Sequence, residues 1–217
     1  MLYLKINNNY KSNPMKKNIK KIVALIAFFA IGLHQLQAQS VYRLTDSKSI
    51  AMKLSGTSTL HKWDMNASIF KGHASFEFKA GSVTDLTSLK SLTFVLPVAN
   101  LSSGEKGLDK NAYKALNTKQ FKNIVYKLTL ATISPESGGK YLLKTHGNLT
   151  IAGVTKQITM DVHCVVNGDG TITCTGSETL NMTDYRVKPP TFMLGAMKTG
   201  DSITLDFIMV YKKQATS

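Results

Sequence analysis

Ser58, His61 and Asp64 stand close together in the stretch GTSTLHKWDM, and they are the residue types of a nucleophile, a base and an orienting carboxylate. Acyl transfer of the hydrolase kind needs its serine on a tight strand-to-helix turn flanked by glycines. Gly56 precedes Ser58, but the second glycine is missing and no segment of helical period follows. A turn or strand hydroxyl is therefore the better reading of Ser58, and the trio is kept only as the minor expectation of an enzyme acting on a lipophilic substrate. His73, His146 and His163 are dispersed over separate segments, without the spacing that gathers histidines and acids on a metal. The stretch SSGEKG (Ser102 to Gly107) offers glycine and lysine without the phosphate-loop pattern. Asp64, Asp161, Asp184, Asp201 and Asp206 each fall singly in or beside polar-face positions. No catalytic residue and no metal ligand is assigned, and the chain is expected not to be an enzyme.

Cys164 and Cys174 lie symmetrically about NGDG (Asn167 to Gly170), a strong hairpin turn signal, which would set them opposite one another on adjacent strands. A cross-strand disulfide and two buried thiols are both consistent with that placing. Without a Cys-x-x-Cys spacing neither reading is catalytic.

The address of the chain bears on that choice. From Met15 it reads MKKNIKKIVALIAFFAIGLHQLQAQS, a cationic stretch, an apolar run too short to span a membrane, and Leu36-Gln37-Ala38 as a small-residue cleavage site. Residues 1–38 are therefore expected to be a signal peptide, with Met15 as the true start, and residues 39–217 a single exported domain, periplasmic or secreted. The formal charge of +14 falls with it. Removing 1–38 leaves 21 Lys and Arg against 13 acids, a net +8. The remaining lysines are spread singly along strand-like segments and form no stripe, which argues against nucleic acid and leaves a transient contact with an anionic membrane surface open.

Strand-like alternation must position whatever the domain binds. Ile50, Met52 and Leu54 alternate with polar or small residues, as do Phe76 and Phe78, and Ile203, Leu205, Phe207, Met209 and Tyr211. Similar runs at 63–70, 90–98, 123–133, 140–151, 156–166 and 171–182 give about eight or nine consecutive strands separated by Gly-, Asn- or Ser-containing turns. Sequential antiparallel strands with one apolar face stack as two sheets or close into a barrel. The long runs 63–80 and 201–213, with Gly72 as a bend, favour the barrel. One segment departs from the pattern: GLDKNAYKALNTKQF (Gly107 to Phe121) places Leu108, Ala112, Ala115 and Leu116 at helical spacing behind Asp109 as N-cap. This short helix in the one long connection, roughly 99–122, is expected to plug or cover an end of the barrel. The fold expected is thus all-β, a single antiparallel barrel of about eight strands with one short helix.

Three stretches carry a resemblance. GTSTLHKWDMNA (Gly56 to Ala67), NLTIAGVTKQITMDV (Asn148 to Val162) and LNMTDYRVKPPTFMLGAMKTGDSITLDFIM (Leu180 to Met209) resemble, in order and spacing, segments of the YceI-like family. That resemblance implies a lipocalin-like barrel, exported to the periplasm, whose interior in some members holds a polyisoprenoid chain such as a quinone tail or prenyl phosphate. It implies no other cofactor. One segment departs from the family: before the helix, where an Arg-Asp pair is expected for a head group, this chain has Lys106 and Lys110.

In such a barrel the inward-facing residues expected to line a ligand cavity can be named. On the central hairpin they are Leu149, Ile151, Met160 and Val162, with Ile158 on the same face. Phe76, Phe78, Phe94 and Leu96 follow from the earlier strands, Tyr126 and Leu128 from the run at 123–133, and Leu205 and Phe207 from the last strand. Leu116 on the helix, Trp63 as end plug or ligand contact, and Phe192, Met193 and Met197 as a soft mouth complete the set. The partner expected is a hydrophobic small molecule or lipid, and a homodimer through barrel exteriors is the expected assembly. The alternative is a solid barrel whose surface docks a protein.

Overall fold

The computed structural model describes residues 40–45, 50–67, 69–192 and 197–215, without the side chain of Phe192. The expected signal peptide and Met193 lie outside the described residues. Among the described residues twelve strands are present: β1 (Ser40–Leu44), β2 (Ala51–Ser58), β3 (Lys62–Ala67), β4 (Lys71–Phe78), β5 (Leu86–Pro97), β6 (Leu101–Ser102), β7 (Asn123–Pro135), β8 (Lys140–Ile151), β9 (Val154–Val166), β10 (Ile172–Asn181), β11 (Thr191–Phe192) and β12 (Met197–Lys213). Between β6 and β7 runs the α-helix α1 (Lys106–Ala115).

The pairings close a ring. β12 pairs along one edge with β10 and along the other with β2 and then β1, so β1 and β2 act as one long strand. β3 and β4 likewise form one broken strand, pairing with β2 and β1 on one side, while β4 pairs with β5 on the other. β5, β7, β8, β9 and β10 continue in chain order. The result is a closed, eight-stranded, antiparallel up-and-down barrel, which removes the exposed sheet edges that an open sheet would carry.

Turn chemistry sets the register. Between β8 and β9 the two-residue turn Ala152-Gly153 has positive φ at both positions (47° and 79°), the mirror-image turn whose twist suits a hairpin. Ile151 therefore pairs with Val154, and the inward parity of β8 is carried into β9. At NGDG the Asn167 N–H donates to the Thr171 carbonyl, and the Asp169 carboxylate accepts from the Thr171 N–H and hydroxyl, which holds that carboxyl below its usual range.

Two details differ from the sequence expectation. The run 63–80 breaks between β3 and β4, whereas Gly72, the expected bend, lies inside β4 opposite Phe94, where a side chain would strike Leu44. Asp109 is not the N-cap of α1, a position held by Glu105. Its carboxylate instead accepts from the Ser103 N–H and hydroxyl, each at 2.7 Å, and from the Ser102 hydroxyl, so it fastens the first helical turn to β6 and the loop beyond it.

One end of the barrel is packed solid. Tyr42 meets Phe76 edge to face at 5.3 Å, and Phe76 meets Tyr211 at 5.7 Å, contacts worth about 0.5–1.5 kcal/mol each beyond area burial. The other end is covered by α1, whose Tyr113 hydroxyl donates to the carbonyl of Leu101 at 2.6 Å.

Candidate functional site

Between the aromatic floor and the helical roof the interior is open. Among the described residues two cavities lie inside the barrel there, the larger of about 120 Å³, several times what one water needs. The second, about 80 Å³, lies beneath α1. Leu54, Ile151, Leu180 and Ile203 border both, so the two adjoin end to end along the barrel.

Inward parity explains the lining. From the hairpin of β8 and β9, Leu149, Ile151, Ile158, Met160 and Val162 all face the larger cavity. So do Phe76, Phe94 and Leu96 of β4 and β5, Tyr126 and Leu128 of β7, and Leu205 and Phe207 of β12. Trp63 borders the second cavity, with its indole N–H donating to the Thr57 carbonyl, and Leu116 borders it from just beyond the end of α1. Leu108, Ala112 and Ala115 complete that helical face.

Two expected residues lie elsewhere. Phe78 keeps the inward parity of Phe76 but lies one inward step further along β4, beyond the floor formed by Phe76, and packs against Tyr42 with ring centres 6.4 Å apart. Met197 opens β12 opposite Phe192 and borders neither cavity. Cys164 and Cys174, directly opposite in the register, are bonded as a disulfide and form part of the wall.

The wall is apolar with a few exceptions, of which the sequence reading singled out Tyr126 but not Thr145, Tyr185 or Glu178. Thr145, buried on β8, donates its hydroxyl to the Met160 carbonyl. Tyr126 lies across Gly147, where any side chain would strike the ring, and its buried hydroxyl has no hydrogen-bond partner. Tyr185, which borders the second cavity, is 2% exposed and also carries an unpartnered hydroxyl. Burial lifts both phenols, Tyr185 to about 12, with Asp184 and Glu178 adding to the rise there. Glu178 is a carboxylate on the inward side of β10, in step with Ile172, Cys174 and Leu180. Desolvation raises its pKa, and the nearby Asp161 adds to the rise. The signal was in the sequence: counting by twos from Cys174 through TCTGSETL lands on Glu178.

Glu178 also marks a parting in the wall. β9 pairs with β10 only over Val162–Val166, while β10 runs on to Asn181 along β12. Extending the register sets Glu178 across from Met160 and Leu180 across from Ile158, where no ladder bond joins them. Ile158, Met160 and Glu178 are accordingly only half-buried despite their inward parity.

The candidate catalytic trio resolves into ordinary structure. The Ser58 hydroxyl donates to the His61 carbonyl and accepts from the His61 N–H, closing the turn between β2 and β3. Asp64 pairs with Lys53 at 2.8 Å on the exterior. Among the described residues no group of three or more His, Cys, Asp or Glu side chains could hold a metal ion.

Comparison with known proteins gives one family: residues 44–211 match the model of the YceI-like domain. No curated protein matches the chain. Among solved structures, BcnA of Burkholderia cenocepacia is similar at 19% identity and a TM-score of 0.59, covering 80% of this chain and 99% of that one. A polyisoprenoid binding domain from Saccharophagus degradans, implicated in plant cell wall breakdown, superposes with a TM-score of 0.60 at 9% identity, covering 81% and 99%. The YCEI protein of Campylobacter jejuni gives 0.51 at 19% identity, covering 70% and 85%. At these identities the likeness is one of fold.

Proposed function

The chain belongs to the YceI-like family, and on that premise we propose that it is an exported carrier that holds a hydrophobic chain, an isoprenoid, quinone or similar lipid, inside its barrel. The observation that carries this reading is the pair of adjoining apolar cavities between an aromatic floor and a helical roof. A flexible chain entering them would bury roughly 0.8 kcal/mol per CH₂, so one five-carbon isoprene unit contributes about 3–4 kcal/mol before ordering costs. Leu149, Ile151, Met160 and Val162 would contact it from the hairpin, Leu205 and Phe207 from β12, with Trp63 and Leu116 at the roof. The polyisoprenoid-binding description of one similar structure is consistent with such an occupant.

The signal-like segment supports export to the periplasm, and the Cys164–Cys174 bridge, of a kind that persists in an oxidising compartment, suits it. With Ser58 and Asp64 engaged in a turn and a surface ion pair, the barrel binds and releases without chemistry. The test is organic extraction of protein exported with its own leader and purified without detergent, followed by mass spectrometry against a mock purification. One near-stoichiometric isoprenoid or acyl species is expected. An empty extract from a folded, monodisperse sample overturns the reading in favour of a barrel that docks another protein.

A further inference from the structure

We infer that the barrel selects its occupant by a polar group as well as by its tail: Glu178 and the unpartnered hydroxyls of Tyr126 and Tyr185 form a locus that accepts an uncharged hydroxyl and rejects an anionic head group. The inference rests on the carrier reading and names the ligand class within it.

Three independent observations converge. Glu178 faces an otherwise apolar cavity one inward step from Leu180, which borders both cavities, so it stands near their junction. Tyr126, 6% exposed, borders the cavity that Glu178 faces, and Tyr185, 2% exposed, borders the adjoining one that shares Leu180 with it. A buried hydroxyl without a partner is costly, and two of them in the cavities that adjoin beside one carboxylate are an arrangement that a ligand hydroxyl would complete. The hydroxyl would donate to the Glu178 carboxylate and accept from a tyrosine.

Charge sets the exclusion. Asp161, exposed on the outer face of the neighbouring strand, adds only a solvent-screened negative charge to that of Glu178. A phosphate or carboxylate brought to this point would meet the Glu178 carboxylate in a half-buried wall, where such a contact is costlier than in water. The parting between β9 and β10 at Met160 and Glu178 gives the group access from the side, whereas the cavity's aromatic floor is closed.

The test uses the full chain, stripped of lipid and refolded, with the fluorescence of Trp63 at the second cavity as readout. The probes share one fifteen-carbon tail: farnesol, farnesyl monophosphate and farnesene, titrated at pH 8. The expected order is farnesol first, farnesene about threefold to tenfold weaker for want of one hydrogen bond, and the phosphate at least about tenfold weaker than the alcohol. Glu178→Gln keeps the hydrogen-bonding shape and removes the charge, so it should bring the phosphate within about threefold of the alcohol. Tyr126→Phe should narrow the advantage of farnesol over farnesene and leave farnesene unchanged. Circular dichroism confirms that each variant folds. If farnesene binds and the alcohol has no advantage, or if Glu178→Gln leaves the phosphate-to-alcohol ratio where it was, the inference is overturned and the carrier reading stands. If none of the three probes binds the native chain, both fall.

Discussion

Glu178 is held in a wall that disfavours its charge, and the sign of the consequence follows from the direction of its shift. A carboxyl whose folded pKa lies above its unfolded value gives its full support below the unfolded value, near 4.3, and loses it as pH rises through the folded one. Glu178→Gln should therefore leave the melting temperature near that of the native chain at pH 3.5 and raise it relative to the native chain at pH 7.5. Thermal melts at the two pH values check this, and an equal effect at both would contradict it. Tyr185 extends the argument to alkaline solution. Its pKa of about 12, raised mainly by burial, means that stability present below pH 10 is lost between about 10 and 12. Absorbance at 295 nm should show tyrosines ionising together with unfolding in that window. Tyr185→Phe should postpone the transition and add about 1 kcal/mol at neutral pH by removing an unsatisfied hydroxyl. Gains of this kind are what the proposed binding role of the two groups requires, since such groups are kept at a cost in stability.

At the scale of elements the hairpin of β8 and β9 was the most legible part of the sequence, because a side-chain period of two and a two-residue turn together fix which residues face inward. Leu149, Ile151, Ile158, Met160 and Val162 follow from those rules alone. Phe78 obeys the same parity but lies past the aromatic floor, a depth along the barrel that alternation does not report. Glu178 obeys it too, but a charged residue does not register in a pattern of apolar ones. Asp109 misled for a different reason. An acid near a helix start reads as a cap, yet the Ser103 N–H and hydroxyl bind its carboxylate in the folded loop. The bridge between β9 and β10 gives this scale its prediction. Cys164 and Cys174 close a short loop, with a sequence separation of 10, for which chain entropy gives about 3 kcal/mol. The double variant Cys164→Ala, Cys174→Ala should lose about that much in guanidinium unfolding, provided the native chain is kept oxidised. A loss well under 1 kcal/mol would mean that the denatured state already holds the hairpin together.

For the whole molecule the question is whether the barrel is built around its occupant or around its own side chains. Tyr42, Phe76 and Tyr211 close one end with edge-to-face contacts, and α1 is fastened over the other through Asp109 and Tyr113. The stability of the shell thus resides in its ends and its ladders, and the space between them stays open. A core packed to ordinary density resists added bulk, at about 1–3 kcal/mol for overpacking. An open cavity accepts it. Met160→Trp projects a large ring from the half-buried lip of the parting into the larger cavity. In a barrel of this size each kcal/mol moves the melting temperature by about 2–4 °C. The expected change for Met160→Trp is accordingly within about 3 °C, with co-purifying lipid reduced at least about tenfold as the ring takes the place of the chain. Leu143→Trp supplies the contrast, since Leu143 is 1% exposed although it borders the same cavity lower in the wall. That substitution should destabilise by the full cost of overpacking. If Met160→Trp unfolds the protein as readily as Leu143→Trp does, the interior behaves as a packed core, and the space between floor and roof is not kept open for a ligand.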